Sequence, residues 1–187
     1  MSSFASFRTL LNIVAVSIAF ASTTTVVDAQ CVSKSKYCKG GFTGSIVVNG
    51  PPCTVFAAIQ NSRNSECRKV VSKSGNCVVL EEKFFSLPII GDAKCKYKEV
   101  EMPPRRIDYK IVQSKQFKQF EGNWELCPVD GGKATLVKLT SKVEAYLKVP
   151  FSQKLTDHGT KKDIKRRLAD IKCRVEVNEK RRISFAP

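Results

Sequence analysis

The chain has 187 residues and a formal net charge of +15 at pH 7, with 32 Lys and Arg against 17 Asp and Glu. Beyond the N-terminal 29 residues no stretch is long or apolar enough to cross a bilayer, which argues against an integral membrane protein. The remaining length fits one ordinary domain. The charge favours contact with nucleic acid, anionic lipid or acidic polysaccharide, or it reflects a lysine-rich solvated surface.

Residues 1–29 are typical of a secretory signal peptide. Arg8 precedes an apolar stretch at residues 10–21, and the small residues Val27 and Ala29 flank Asp28 where a signal peptidase would cleave. About a dozen apolar residues are too few for a membrane-spanning helix. We therefore expect a protein of the secretory pathway. The Ser and Thr content leaves an organelle lumen as the alternative.

The cysteines are even in number and follow the leader, at positions Cys31, Cys38, Cys53, Cys67, Cys77, Cys95, Cys127 and Cys173. This pattern in an exported chain predicts disulfides, whose connectivity stays open. Local spacing suggests the pairs Cys31–Cys38 and Cys53–Cys67. Because the chain has no C-x-x-C and a single histidine, we predict no metal site and no cofactor.

Residues 30–44 form a lead-in segment that contains cysteines and glycines. A strand at 45–48 and a short helix at 53–60 follow, and alternating patterns then predict strands at 68–73, 77–85, 93–102 and 105–113. In the third of these strands Val100 and Met102 are out of phase with Cys95 and Tyr97. We therefore expect a β-bulge near Glu99, which would return the apolar side chains to one face.

Residues 117–149 predict a β-hairpin. Phe120, Gly122, Trp124 and Leu126 alternate with polar residues on the first arm, and Val137, Leu139 and Val143 share one face of the second. Asp130-Gly131-Gly132 supplies the positive-φ residues of the turn. Each arm therefore has an apolar face and a solvated face.

The C-terminal part predicts an amphipathic helix. Ile164, Leu168, Ile171 and Val175 recur at helical spacing, and lysines and arginines cover the other side. We expect an interruption at His158-Gly159. A single amphipathic helix after a one-sided sheet packs on the apolar face of that sheet. Residues 179–187 lack periodicity and predict a basic tail outside the domain.

The order of strand, short helix, six-stranded meander and long helix resembles the START-like, or helix-grip, superfamily. The motif Phe120-x-Gly122-x-Trp124-x-Leu126-x-Pro128, the Asp130-Gly131-Gly132 turn and Thr135 are similar to the polyketide cyclase and coenzyme Q-binding branch. Pro150 and Glu176 add to the likeness, which predicts a START-like domain at 45–178. The implied fold is α+β, with a curved antiparallel sheet of about seven strands wrapped around the C-terminal helix.

The resemblance implies a cavity between sheet and helix for an apolar molecule such as a lipid, quinone, sterol or polyketide. Strand parity places Cys95 and eight further candidates on its wall: Tyr97, Ile107, Tyr109, Ile111, Phe120, Trp124, Leu139 and Val143. For each residue taken singly, ordinary core packing is the favoured alternative.

The solvated face carries a set of lysines: Lys94, Lys96, Lys98, Lys110, Lys138, Lys142 and Lys148. The alternative function is therefore a basic exported protein that acts on anionic membrane or polyanion. Nucleic acid is not favoured, because Tyr146 is the main aromatic residue available there for base stacking. We expect a monomer.

Catalytic residues cannot be named. His158 has no identifiable partner nucleophile, and Glu81 and Glu82 point to opposite faces of one strand. Glu99 and Glu101 share a face only if no bulge separates them. A cyclase-type enzyme, which the resemblance also allows, is therefore the weakest of the three functional hypotheses.

Overall fold

The computed structural model of the chain describes residues 33–34, 38, 40–87, 91–146 and 152–184, without the side chains of 33, 34, 86, 152 and 178–184. The predicted signal peptide, Cys31 and Lys148 lie outside the described residues. Within the described ranges, no helix combines the length and apolar character needed to span a bilayer.

In the described residues, eight antiparallel strands and two α-helices form the domain. In chain order they are β1 (Ser33–Lys34), β2 (Phe42–Val48), α1 (Pro52–Asn61), β3 (Arg68–Ser74), β4 (Cys77–Leu87), β5 (Gly91–Met102), β6 (Arg106–Ser114), β7 (Phe117–Val129), β8 (Ala134–Ala145) and α2 (Ser152–Ser184). The sheet order is β1-β2-β8-β7-β6-β5-β4-β3. The seven longer strands form the curved sheet of a helix-grip fold, so the predicted fold is confirmed.

The concave face of the sheet is covered by α2. Ile164, Leu168, Ile171 and Val175 are each at most 1% exposed and pack into one core with β2 and β8. The helix differs from expectation in two ways. It passes through Gly159 without a break, and it continues to Ser184, into the segment predicted as a tail. Lys and Arg are strong helix formers, which is consistent with the longer helix.

The predicted hairpin is formed by β7 and β8. Trp124 pairs with Leu139, and the turn places Asp130, Gly131 and Gly132 at φ values of 50°, 61° and 87°. These left-handed conformations are the ones that glycine adopts readily and aspartate tolerates. The turn residues therefore have the role that their sequence predicts.

The β-bulge expected near Glu99 is wrong. Inward-facing residues alternate without interruption along β5, so Glu99 and Glu101 are buried, at 4% and 6% exposure. The irregularity lies in β6 instead, where the register shift leaves Val112 as the extra residue. The two carboxylates can face inward because Arg63, just after α1, forms ion pairs with both of them.

The suggested disulfide between Cys53 and Cys67 is also not present. Six of the described cysteines are free thiols: Cys53, Cys67, Cys77, Cys95, Cys127 and Cys173. Cys53 lies in the first turn of α1, and Cys67 is the last of the six residues that connect α1 to β3. Bridged cysteines need Cα atoms within about 7 Å of each other. The pairing Cys31–Cys38 remains a prediction.

Candidate functional site

Aromatic rings line the inside of the sheet. Phe120 is at the centre, with ring centroids 5.1 Å from Tyr97 and 5.3 Å from Tyr109. Phe84 contacts Phe117 edge to face, with centroids 5.3 Å apart. Tilted and edge-to-face rings at these distances attract one another beyond their apolar burial. The result is a rigid aromatic wall built from β4, β5, β6 and β7.

This wall leaves an apolar cavity of about 140 Å³ beside α2. Its apolar lining comes from Phe84, Leu87, Phe117, Phe120, Val143 and Leu155. The backbone of Gly159 completes the helix side, where an added Cβ would meet no atom within 4 Å. A glycine in mid-helix costs helix stability but leaves room at the cavity. The cavity therefore lies where the first third of α2 crosses the sheet.

A larger, polar cleft of about 960 Å³ adjoins this cavity. The two share Phe84, Leu87, Leu155, Gly159 and Asp163 as lining residues, so they lie side by side. The cleft runs between α2 and the β3–β4 edge of the sheet. A molecule bound here would meet aromatic carbon at one end and charged side chains at the other.

A buried ionic cluster forms the floor of the polar cleft. Glu82 Oε1 accepts hydrogen bonds from Arg68 at 3.0 Å and from Arg167 at 2.7 Å. Glu82 Oε2 accepts the hydroxyl proton of Tyr97 at 3.0 Å. Arg167 also bonds Asp163 at 2.6 Å. Residues from β3, β4, β5 and α2 are thus joined through one carboxylate.

The protonation states of the cluster follow from its geometry. Burial alone would raise the pKa of Glu82, but Arg167 and Arg68 outweigh it and lower that pKa below its ordinary value. Burial, together with the charge of Glu82, raises the pKa of Tyr97 well above its ordinary value. At neutral pH Glu82 is therefore an anion and Tyr97 a neutral hydrogen-bond donor.

A second buried cluster joins α1 to the sheet. Arg63 Nε donates to Glu99 at 2.7 Å, its Nη1 pairs with Glu101, and Gln60 donates to Glu101 at 3.0 Å. Burial raises the pKa of Glu99, although Arg63 opposes the shift. Glu99 and Glu101 do share a face, but Arg63 occupies their carboxylates. This arrangement is structural support for the site.

The predicted cavity residues separate into three groups. Phe120 and Val143 line the apolar cavity, and Trp124 lines the polar cleft. Tyr97, Ile107, Tyr109 and Leu139 are core residues at 8% exposure or less, as is Cys95. Ile111 is partly buried against the core.

Sequence reasoning missed Phe84, Glu82, Arg68 and Arg167. The parity of β4 would have found the first two, because Val78, Leu80, Glu82 and Phe84 alternate on the inner face.

The predicted lysine surface is a mixed surface. Lys96 pairs across strands with Glu81, Lys110 with Glu121 and Lys138 with Glu125. Lys142 forms an ion pair with Glu144 at 3.2 Å. Lys94 lies opposite Lys83 and Lys98 lies opposite Lys110, and both Lys94 and Lys98 are exposed. Carboxylates interspersed in this way weaken the field that a polyanion would meet.

Within the described ranges, no group of three or more His, Cys, Asp and Glu side chains could hold a metal ion. His158 lies exposed at the rim of the cleft.

Fold and site together define a class of protein, the helix-grip proteins with an internal cavity between a curved sheet and a C-terminal helix. The chain belongs to the family of polyketide cyclases, dehydrases and lipid transport proteins, whose sequence pattern matches residues 39–176. A comparison with curated proteins finds no significant match.

Solved structures agree on the fold. The protein TTHA0849 from Thermus thermophilus is 17% identical with a TM-score of 0.64, over 74% of this chain and 98% of that one. The Zhui aromatase/cyclase from a Streptomyces species is 11% identical, also at 0.64, over 73% and 93%. A STAR-related lipid transfer protein from Xanthomonas axonopodis is 10% identical at 0.58, over 78% and 98%.

Proposed function

We propose that this protein binds or carries an apolar small molecule, such as a lipid, quinone, sterol or polyketide, between its sheet and α2. The observation that carries the proposal is the apolar cavity walled by Phe84, Phe117, Phe120 and Val143, which borders the polar cleft. The family includes lipid transport proteins, and one structural neighbour is a lipid transfer protein.

The sizes of the cavity and the cleft favour a ligand with an apolar end and a polar end. Small-molecule sites have volumes of roughly 300–1,000 Å³, and the apolar cavity of about 140 Å³ holds only part of such a ligand. The cleft of about 960 Å³ receives the remainder. The apolar end gains about 0.8 kcal/mol for each methylene that it buries.

The charged cluster favours binding over proton transfer. A general base works best with a pKa near the ambient pH. Glu82 has its pKa lowered and is held by two guanidinium groups, while Tyr97 has its pKa raised and stays protonated. Neither group is therefore suited to exchange a proton with a ligand, and Glu82 instead holds Arg68 and Arg167 in place beside the cleft. A cyclase activity remains the weaker proposal.

The proposal is tested by filling the cavity. Gly159→Leu places a large side chain at the border of the cavity and the cleft, where an added Cβ meets no atom within 4 Å, and replaces a poor helix former with a good one. We expect the variant to fold and to lose most of its binding of an uncharged apolar fluorophore, N-phenyl-1-naphthylamine, and of any lipid that co-purifies in native mass spectrometry. Gly159→Ala is the matched control and should keep binding. Unchanged binding by Gly159→Leu would refute the site.

We also propose that the mouth of the cleft docks on anionic membrane. Phe85 is 55% exposed and Leu155 37% exposed there, beside the cations Lys83, Lys162 and Arg166. Exposed apolar side chains beside cations are suited to a bilayer interface. Each basic residue near an anionic surface adds about 1 kcal/mol to the free energy of binding. Loading and release of a lipid require such a contact.

Co-sedimentation with vesicles tests this docking. Wild type should bind vesicles that contain phosphatidylserine and not vesicles of phosphatidylcholine. Lys162→Glu should weaken binding, whereas Lys110→Glu on the opposite, mixed surface should not. Equal effects of the two variants would show that net charge, and not this mouth, governs the interaction.

For the N-terminus we propose cleavage after Ala29 and passage through the secretory pathway, on the basis of the leader sequence. N-terminal sequencing of protein from its own host tests this directly. A mature product that begins at Met1 would contradict it.

A further inference from the structure

The structure assigns a chemical class to the polar end of the ligand: we propose that Arg68, Arg166 and Arg167, the guanidinium cluster, bind an oxyanion head, of which a carboxylate is the simplest form. This inference rests on the proposed function, because it concerns the cleft that adjoins the same cavity. The bound molecule is then an acidic amphiphile, with its apolar end in the cavity.

The first argument is a surplus of donors over acceptors. Glu82 uses one oxygen for two guanidinium groups and the other for Tyr97, and the two oxygens of Asp163 bond Arg166 and Arg167 at 2.6 Å each. Three guanidinium groups therefore share two carboxylates. Each guanidinium carries five N–H donors, so donors remain after both carboxylates are engaged.

One of the remaining donors is buried and has no acceptor. Arg68 Nε is shielded from solvent and finds no hydrogen-bond partner among the described residues. The Arg68 side chain is only 12% exposed and lines the polar cleft. Buried N–H groups without a partner are rare in folded proteins. Because Arg68 lines the cleft, a rotation of its side chain would bring this donor to an oxyanion bound there.

The charges that line the cleft also favour an anion. Six cationic side chains and four carboxylates line it, so the cleft carries a positive excess. Arg167 is as buried as Arg68, at 12% side-chain exposure, and Glu82 is 4% exposed. In such a partly dry site, charge-assisted hydrogen bonds to an anion are stronger than in water.

The position of the cluster sets the arrangement of the ligand. Asp163, which holds Arg166 and Arg167, lines both the apolar cavity and the polar cleft. Phe84 also borders both spaces. The guanidinium cluster therefore begins where the aromatic wall ends. An amphiphile with its acidic group near Arg68 would place its apolar end against Phe84 and Phe120.

The experiment compares three probes of one chain length: oleic acid, methyl oleate and oleylamine. Each displaces a bound fluorophore, or is followed by the emission of Trp124, the single tryptophan, which lines the cleft. We expect oleic acid to bind at least about tenfold more tightly than methyl oleate, and oleylamine to bind most weakly.

Arg68→Gln tests the residue itself. The variant should bring the affinities for oleic acid and methyl oleate within about threefold of each other, without loss of methyl oleate binding. Lys69→Gln is the matched control, because Lys69 is the next residue on β3, is 68% exposed and pairs with Glu81 on the outer face. It should keep the preference of the wild type.

A second variant covers the case in which Arg68→Gln folds poorly. Arg166 lines the cleft with a side chain that is 65% exposed, so Arg166→Gln should fold and reduce the preference for the acid several-fold.

The outcomes separate the two proposals. Equal binding of acid and ester by wild type overturns the oxyanion site and leaves the apolar cavity standing. A preference for the acid that survives both Arg68→Gln and Arg166→Gln also overturns it. Failure of all three probes, together with failure of the fluorophore, overturns the proposed function and this inference with it.

Discussion

The ring of Tyr109 lies directly against the backbone of Gly122. The two residues pair across β6 and β7, and the Tyr109 hydroxyl passes over Gly122 to donate to the carbonyl oxygen of Thr140 at 3.0 Å. A Cβ at position 122 would lie 2.0 Å from that carbonyl oxygen and 2.5 Å from the hydroxyl. The glycine of the Phe120-x-Gly122-x-Trp124 motif is therefore required by the aromatic wall.

Gly122→Ala is expected to destabilise the fold. The new methyl group must displace either Tyr109 or the β8 backbone, and overpacking of this kind costs about 1–3 kcal/mol. Urea denaturation measures the change in free energy of unfolding. Gly159→Ala is the control, because its methyl group enters open space in a helix and should raise stability by up to about 1 kcal/mol. A neutral Gly122→Ala would show that the wall is loosely packed.

Glu82→Gln should destabilise the protein most at neutral pH. Glu82 has a lowered native pKa, so its contribution is fully present above the ordinary carboxyl pKa of about 4.3 and is lost as the pH falls through the native pKa. Removing the charge leaves Arg68 and Arg167 without their shared anion, at a cost of about 3–5 kcal/mol.

The measurement is the difference in unfolding free energy between wild type and Glu82→Gln at several pH values. The difference should be largest near pH 7 and shrink below pH 4.3. Glu81→Gln is the control, since Glu81 pairs with the exposed Lys69 and should change stability by less than about 1 kcal/mol. A difference that does not depend on pH would contradict the proposed role of the charge.

Arg63→Met should loosen α1 from the sheet. It leaves Glu99 and Glu101 buried without their cation, which costs about 3–5 kcal/mol while both are ionised. Amide hydrogen exchange should show lost protection in α1 before the rest of the domain. Arg105→Met, at an exposed turn position, is the control. Unchanged protection in α1 would mean that apolar packing alone holds this helix.

Cys95 should be unreactive in the native protein. Burial, with a further contribution from Glu82, raises the pKa of its thiol to about 12. After reduction, iodoacetamide should modify the exposed Cys173 quickly and Cys95 only in denaturant. Peptide mass spectrometry reads both sites. Rapid modification of native Cys95 would show that the sheet opens there.

The sequence predicted the architecture because periodicity is a local property. The hairpin with its Asp130-Gly131-Gly132 turn and the stripe from Ile164 to Val175 follow from alternation and helical spacing. The same reasoning gave Phe120 and Val143 as wall residues. The prediction of a bulge at Glu99 was wrong. It assumed that only apolar side chains face the core, so a bulge was needed to keep the carboxylate on the solvent side.

The ion pairs of the charged half of the site could not be predicted in this way. Parity can place Glu82 on the inner face of β4, but its partner Arg167 is 85 positions away and looks like an ordinary surface residue of its helix. A carboxylate can face inward when a cation from another element forms an ion pair with it. That ion pair depends on how the tertiary structure brings the two elements together. Without it, burial would cost more than the fold could supply.

The sequence by itself determined the class of fold, the face of the sheet that α2 covers and the glycines that its turns need, because these depend on neighbouring residues. The tertiary structure decided where the covered face stays open and which charges border the opening. That outcome depends on the packing of a straight helix against a curved sheet, and on ion pairs that join β3, β4 and α2 only after folding.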